Sequence, residues 1–259
     1  LVGSEMCIRD RYNEDLFKKV SVIPEGKNHG LVFILDWSGS MSHVMMDTIK
    51  QLYNLMWFCK KVQIPFDVYA FTTSYPKTDR DESGYAAPLY DAKDNMMVVE
   101  NQFSLMNLFT SQTRIKELNQ QMLNIFRIVG GYRDYTAHDL TPFGLELSGT
   151  PLNETIVALH DLIPQFQAKT KVEKVNCVIL TDGEGYQLSY HRTVNRSLMG
   201  ESYFGRGNFG EGCILRNRKT GKTYNCGYQY HDYTKMLLRN ISDELPDVNF
   251  VGIRVMEAR

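Results

Sequence analysis

The sequence predicts an α/β protein: a doubly wound, mostly parallel sheet flanked by helices, Rossmann-like, interrupted by two loop or hairpin insertions. Three observations lead there. Residues 31–35 (LVFIL) and 175–181 (VNCVILT) are unbroken apolar runs, as expected of strands buried on both faces of a helix-covered sheet. Each run ends at an aspartate or one residue before it, at Asp36 and Asp182. Between them, strand and helix periodicities alternate, which is the pattern of βαβ units with right-handed crossovers.

Taken in order, residues 31–35 follow Gly30 and form the first strand. Over residues 43–62, Val44, Met45, Ile49, Leu52, Leu55, Met56 and Phe58 recur near helical spacing, so a helix is predicted. Ile64-Pro65 stops it, and residues 66–72 (FDVYAFT) read as a strand. Residues 74–94 are polar and punctuated by Gly and Pro, the mark of an inserted loop. Short strands are expected at 96–99 and 103–109, then an amphipathic helix over 115–129 ended by Gly130-Gly131. Thr150-Pro151 opens the next helix, with Thr150 as N-cap and Pro151 in the first helical position, running to about Phe166.

After the strand at 175–181, residues 186–210 are rich in Gly, Ser, Asn and Tyr and read as a long loop. Residues 213–218 and 222–228 flank Lys219-Thr220-Gly221 as a hairpin, so the second insertion spans 186–228. A helix over 231–245 and a strand over 247–255 follow. A closing helix normally comes next in such domains, and its absence reads as truncation. At the other end, residues 1–11 (LVGSEMCIRDR) resemble the conceptual translation of a sequencing-library adapter, so they are read as an artefact. Residues 12–28 are then the flank of an upstream region, and 29–259 the domain.

A formal net charge of −1 gives no electrostatic footprint for nucleic acid or an anionic membrane. No apolar run reaches the roughly 18 residues a membrane-spanning helix needs. Five scattered cysteines argue against a disulfide framework and for a reducing, cytoplasmic setting.

The chemistry concentrates at the two strand ends. In open parallel sheets, ligands bind beyond the carboxyl ends of the strands. Asp36, Ser38 and Ser40 in DWSGSM place oxygen-bearing side chains at alternating positions, and Thr150 and Asp182 add a hydroxyl and a carboxylate from two other loops. Two carboxylates and three hydroxyls, without sulfur or imidazole, favour a hard cation, Mg²⁺ or Ca²⁺.

Asp36-X-Ser38-X-Ser40 after LVFIL, Thr150 in GTPLNETI and Asp182 in VILTDGEG together resemble the metal-ion-dependent adhesion site of von Willebrand factor A domains, over roughly residues 30–255. The tone is closest to intracellular, cobalt chelatase accessory subunit-like members, bacterial or phage-encoded. The resemblance implies that Ser38, Ser40 and Thr150 ligate the metal directly, while Asp36 and Asp182 act through waters and hydrogen bonds. It implies Mg²⁺, with Mn²⁺ or Ca²⁺ as alternatives, and a protein partner whose Asp or Glu completes the coordination. In that group the usual partner is a MoxR-like AAA+ ATPase, and the domain itself is not an enzyme. The insertions at 74–94 and 186–210 depart from the pattern and would lie near the binding face.

Competing readings are definite. Asp36 and Asp182 can be plain turn residues, or a hydrolase can use the strand-end aspartates, or a metal can serve only to stabilise the fold. A phosphatase of the haloacid dehalogenase type wants a second aspartate where Ser38 stands, and there is no G-x-S-x-G elbow or phosphate-binding loop. Thr141 in LTPF rivals Thr150. Trp37 reads as packing, as do Met41, Met45, Met46 and Met56. Cys213, Cys226 and His231 lack a C-x-x-C pair and a fourth zinc ligand. The aromatics Tyr186, Tyr190, Tyr203, Phe204 and Phe209 read as packing of the long loop, with a partner surface as the alternative.

Overall fold

The computed structural model describes residues 28–74, 90–132, 141–183, 185–195, 202–210, 212–227 and 229–256. Residues 1–11, and most of the loop expected at 74–94, lie outside the described residues. Along the chain come β1 (His29–Asp36), a short 3₁₀ turn (Gly39–His43), α1 (Met45–Val62), β2 (Phe66–Thr73), β3 (Phe103–Thr110), α2 (Ile115–Gly131) and α3 (Leu152–Thr170). Then follow β4 (Lys174–Thr181), β5 (Ser189–Asn195), β6 (Ser202–Asn208), β7 (Ile214–Arg216), β8 (Thr223–Asn225), α4 (Tyr230–Glu244) and β9 (Val248–Arg254).

Five strands form the central sheet in the order β3-β2-β1-β4-β9. All neighbours are parallel except the edge pair β2–β3, which is antiparallel. The apolar run of β1 explains the layering. Val32 and Ile34 point into a core with Ile156, Leu159 and Ile163 of α3 and Met236, Leu237 and Ile241 of α4. Phe33 and Leu35 point the other way, against Met45, Ile49 and Met56 of α1 and Leu118 and Met122 of α2. Successive strand residues face opposite sides, so one unbroken hydrophobic strand serves two helical layers. The fold class is the doubly wound, mostly parallel α/β sheet. Among the described residues no helix is long and apolar enough to cross a membrane.

Chain direction changes at the centre. The chain leaves β1 toward β2 on one side, and leaves β4 toward β9 on the other. The loops after β1 and β4 therefore diverge and open a crevice at the carboxyl edge of two adjacent strands.

Residues 186–210 are not the long loop that their glycine content predicts. They contain the antiparallel pair β5–β6, with Tyr190 opposite Gly207 and Arg192 opposite Gly205. A Cβ on Gly207 would lie 2.5 Å from Cζ of Tyr190, so this glycine makes room for a ring on the facing strand. Composition pointed to flexibility where the chemistry was cross-strand packing. Phe209 is buried and meets Tyr190 edge to face at 5.9 Å, whereas Phe204 and Tyr186 are partly exposed. The segment expected as a strand at 96–99 instead runs beside β5 through a single bridge, Met97 to Tyr190.

A second correction concerns Thr150. The helix begins at Leu152 with Pro151 as its N-cap (φ −78°, ψ 56°), and no side chain caps it. Proline has no N–H and constrains its neighbour to extended backbone, which displaces the start of the helix by one residue. It also continues past Phe166 to Thr170. Likewise α2 takes in Gly130 and ends with Gly131, two residues beyond the expected Val129. The hairpin expected around Lys219-Thr220-Gly221 is present as β7–β8, with Gly221 at φ +73°.

Candidate metal centre

Asp36 is the last residue of β1, and the register pairs Leu35 with Leu180. Asp36 therefore stands beside Thr181, whose hydroxyl donates to Asp36 Oδ2 at 2.5 Å. Asp36 is fully buried, and its Oδ1 has no hydrogen-bond partner. Burial raises its pKa to about 6; the hydroxyls of Thr181 and Ser38 pull it down, and the charge of Asp182 pushes it up.

From Asp36 the chain turns into a tightly held loop. Trp37 N–H donates to Phe71 O at 2.9 Å and Gly39 N–H to Ser148 O at 2.8 Å. The Trp37 indole is fully buried and donates to Leu145 O at 2.9 Å and Tyr132 Oη at 3.1 Å. Trp37 is thus packing, as expected, and so are the buried Met41, Met45 and Met56. With the backbone held, the serines align. Ser38 and Ser40 hydroxyls are 3.1 Å apart, and Ser40 Oγ donates to Asp182 Oδ1 at 2.9 Å. Ser38 is buried and Ser40 exposed, so this line of oxygens leads from the sheet to solvent.

Thr150 comes to the same edge by a different route. Ser148 bridges to Ser38 in parallel fashion, and its hydroxyl is 2.7 Å from Thr73 Oγ1. Gly149 N–H donates to Thr73 Oγ1 at 2.9 Å, and Thr150 N–H to Tyr186 Oη at 3.3 Å. A Cβ at Gly149 would lie 3.0 Å from Thr73 Oγ1 and 3.1 Å from Tyr186 Oη, so a side chain there would have to push both hydroxyls back by a few tenths of an ångström. Because Pro151 caps the helix, the Thr150 hydroxyl is not engaged there. The pairing of Ser148 with Ser38 puts Thr150, and not Thr141, two residues from the loop.

Asp36, Ser38, Ser40 and Asp182 are therefore joined through neighbouring side chains, and Thr150 follows two residues after Ser148, which bridges to Ser38. Sequence reasoning missed Thr181, Ser148, Thr73 and Tyr186. Thr181 directly precedes Asp182, but only the β1–β4 register shows that it faces Asp36. The donor set suits a hard cation: carboxylates and hydroxyls, with one buried carboxylate oxygen lacking a partner. Among the described residues, no three His, Cys, Asp or Glu side chains cluster. Cys213 and Cys226 are free thiols, and the His231 side chain lies outside the described residues.

Behind Thr150, Asn153 is fully buried; its amide donates to Tyr186 O at 2.7 Å and accepts from Thr234 at 2.8 Å. Next to it, Glu154 is buried with Oε2 unpartnered, and burial raises its pKa to about 7, helped by the charge of Glu100. The folded pKa lies above the unfolded value, so the stabilisation from holding this proton is complete below the unfolded pKa and lost as pH rises through about 7. Stability should thus fall by ~3 kcal/mol between mildly acidic and mildly alkaline pH on this account. Urea denaturation of Glu154→Gln should lack that loss and leave the variant more stable than wild type at alkaline pH. A parallel decline in both proteins would contradict it.

No family model matches the chain, and no curated protein matches it. Among solved structures it is similar to the pilus adhesin SpaC from Lactobacillus rhamnosus GG in its open conformation, with a TM-score of 0.45 and 14% identity over 88% of this chain and 24% of the adhesin. A second structure of that adhesin gives a TM-score of 0.41 at 15% identity with the same coverage. The chain spans about a quarter of the adhesin's length.

Proposed function

We propose that the chain is a divalent-metal-dependent protein-binding module of the von Willebrand factor A type, which grips a partner's Asp or Glu through a metal-ion-dependent adhesion site. The observation that carries this reading is the buried, unpartnered Oδ1 of Asp36 at the root of the Ser38–Ser40–Asp182 line of oxygens. A buried carboxylate with one oxygen unpartnered, held otherwise only by neutral donors, is costly unless something positive compensates its charge.

Ser38, Ser40 and Thr150 would hold the cation directly, and Asp36 and Asp182 would orient those hydroxyls. Mg²⁺ is the proposed ion, with Mn²⁺ and Ca²⁺ as substitutes. Bound there, the cation supplies an electrophilic position for an incoming carboxylate. The chain's own residues do the rest: Thr181 fixes the Asp36 carboxylate, Asp182 orients the Ser40 hydroxyl, and the backbone bonds of Trp37 and Gly39 keep the loop from relaxing. Preorganised ligands of this kind make one charge-assisted contact specific as well as attractive. The partner would be a protein presenting an acidic residue, with a MoxR- or chelatase-like AAA+ ATPase as the proposed example, in the cytoplasm of a bacterium or an infected host cell.

The hydrolase reading finds no support in the geometry. The two serine hydroxyls bond to each other and Ser40 bonds to Asp182, with no imidazole in the set among the described residues. Panning a random peptide display on the immobilised domain in Mg²⁺, with elution by EDTA, tests the proposal. Eluted peptides should share an Asp or Glu whose replacement by Asn or Gln abolishes binding. Binders that resist EDTA, or that lack an acidic residue, would overturn it.

A further inference from the structure

Away from the metal centre, a polar cleft of about 470 Å³ opens between β8 and the outer flank of α4, lined in part by Thr223, Asn225, Asp232, Lys235 and Arg239. Lys235 and Arg239 are four residues apart on one helix and so project from the same face, one turn above the other. Both are exposed, and neither has an ion pair or hydrogen bond among the described residues. Their neighbours differ. Lys219 pairs with Glu244 at 2.8 Å and Lys222 with Asp243 at 2.9 Å, so the cations that hold the β7–β8 hairpin to the helix are neutralised. Among the described residues lining the cleft, the one acid is Asp232. Its carboxylate accepts from Gln229 N–H at 3.1 Å in the capping box of α4, so it sits against the helix terminus and the lining keeps two cations to one anion. Thr223 and Asn225 add a hydroxyl and an amide, neither with a side-chain partner among the described residues.

We propose that this cleft binds the phosphoryl group of a phosphomonoester. Such a group carries close to two negative charges and three strong acceptor oxygens. The Lys235 ammonium, the Arg239 guanidinium and the Asn225 amide all line the cleft, so such a group finds two cations and an amide donor on its walls. A carboxylate, with one charge and two oxygens, matches Arg239 alone. The cleft is open to solvent and has room for more than a bare phosphate, so the phosphoryl group can enter on a larger molecule. That molecule is either a small phosphorylated metabolite or a phosphorylated side chain of a protein, and both offer the same chemistry.

The test is calorimetric titration of the full chain at low ionic strength, in EDTA so that the metal centre plays no part. Inorganic phosphate, ribose 5-phosphate and a phosphoserine peptide are the probes, with acetate as control. At least one phosphate ester should bind more tightly than inorganic phosphate, and acetate should not bind. Preference for ribose 5-phosphate points to a metabolite, and preference for the peptide to a protein partner. Lys235→Ala with Arg239→Ala should weaken binding by at least about tenfold, or ~1.4 kcal/mol, at an unchanged melting temperature. Arg239→Lys should lose only part of it, since an ammonium cannot bond bidentately. Binding of none of the three phosphates, equal binding of acetate, or full affinity in the double variant would each overturn the proposal.

Discussion

Asp36→Asn is expected to weaken Mg²⁺ or Mn²⁺ binding by at least about a hundredfold, ~2.7 kcal/mol, while the metal-free domain becomes more stable. The two effects have one cause. Asp36 is fully buried, its Oδ1 has no partner, and burial lifts its pKa to about 6. Its folded pKa lies above the unfolded one, so the ionised group at neutral pH weighs against folding until a cation compensates it. Asparagine keeps a carbonyl oxygen for the Thr181 hydroxyl, so the β1–β4 contact survives while the charge does not. A purely structural aspartate would behave in the opposite way, losing stability on substitution and leaving metal affinity alone. Isothermal titration and thermal denaturation of the same preparation separate these outcomes. Unchanged affinity would contradict the assignment of Asp36 to the site.

The second large effect is on stability. Trp37→Ala should destabilise the domain by ~3–5 kcal/mol, the range for truncating a buried large aromatic residue. Trp37 is fully buried, meets Tyr132 edge to face at 5.9 Å, and donates its indole N–H to Leu145 O and Tyr132 Oη. Tyr132 in turn donates to Leu145 O. Truncation therefore opens a cavity and leaves part of this polar pair without its donor. Trp37→Phe refills most of the volume but not the N–H, so it should lose a smaller part. Urea denaturation gives both numbers. A loss below about 1 kcal/mol for the alanine variant would show that the loop does not depend on this anchor.

The parts legible in the sequence were those with a strong local signature. The apolar runs of β1 and β4 announced buried parallel strands, and the aspartates after them pointed to the carboxyl edge where Asp36, Ser40 and Asp182 meet. Residues whose roles depend on pairing were not legible. Thr181 reaches Asp36 only because Leu35 registers with Leu180, and Ser148 reaches Ser38 across a long stretch of chain. The β5–β6 hairpin was hidden because Gly207 makes room for the Tyr190 ring opposite it and Gly205 for the Tyr203 ring on its own strand, which composition alone cannot reveal. The start of α3 was misplaced by one residue because Pro151 caps where Thr150 had the better capping side chain. That displacement leaves the Thr150 hydroxyl disengaged from the helix, as a ligand would need.

The most direct measurement is crystallographic. Crystals of the domain soaked in Mn²⁺ should show one anomalous peak at the carboxyl edge of β1 and β4, at about 2.2 Å from the hydroxyls of Ser38, Ser40 and Thr150, within the range of hard-cation oxygen ligation. A map with no peak there, or a peak bound by other residues while those three hydroxyls stay as they are, would contradict the account.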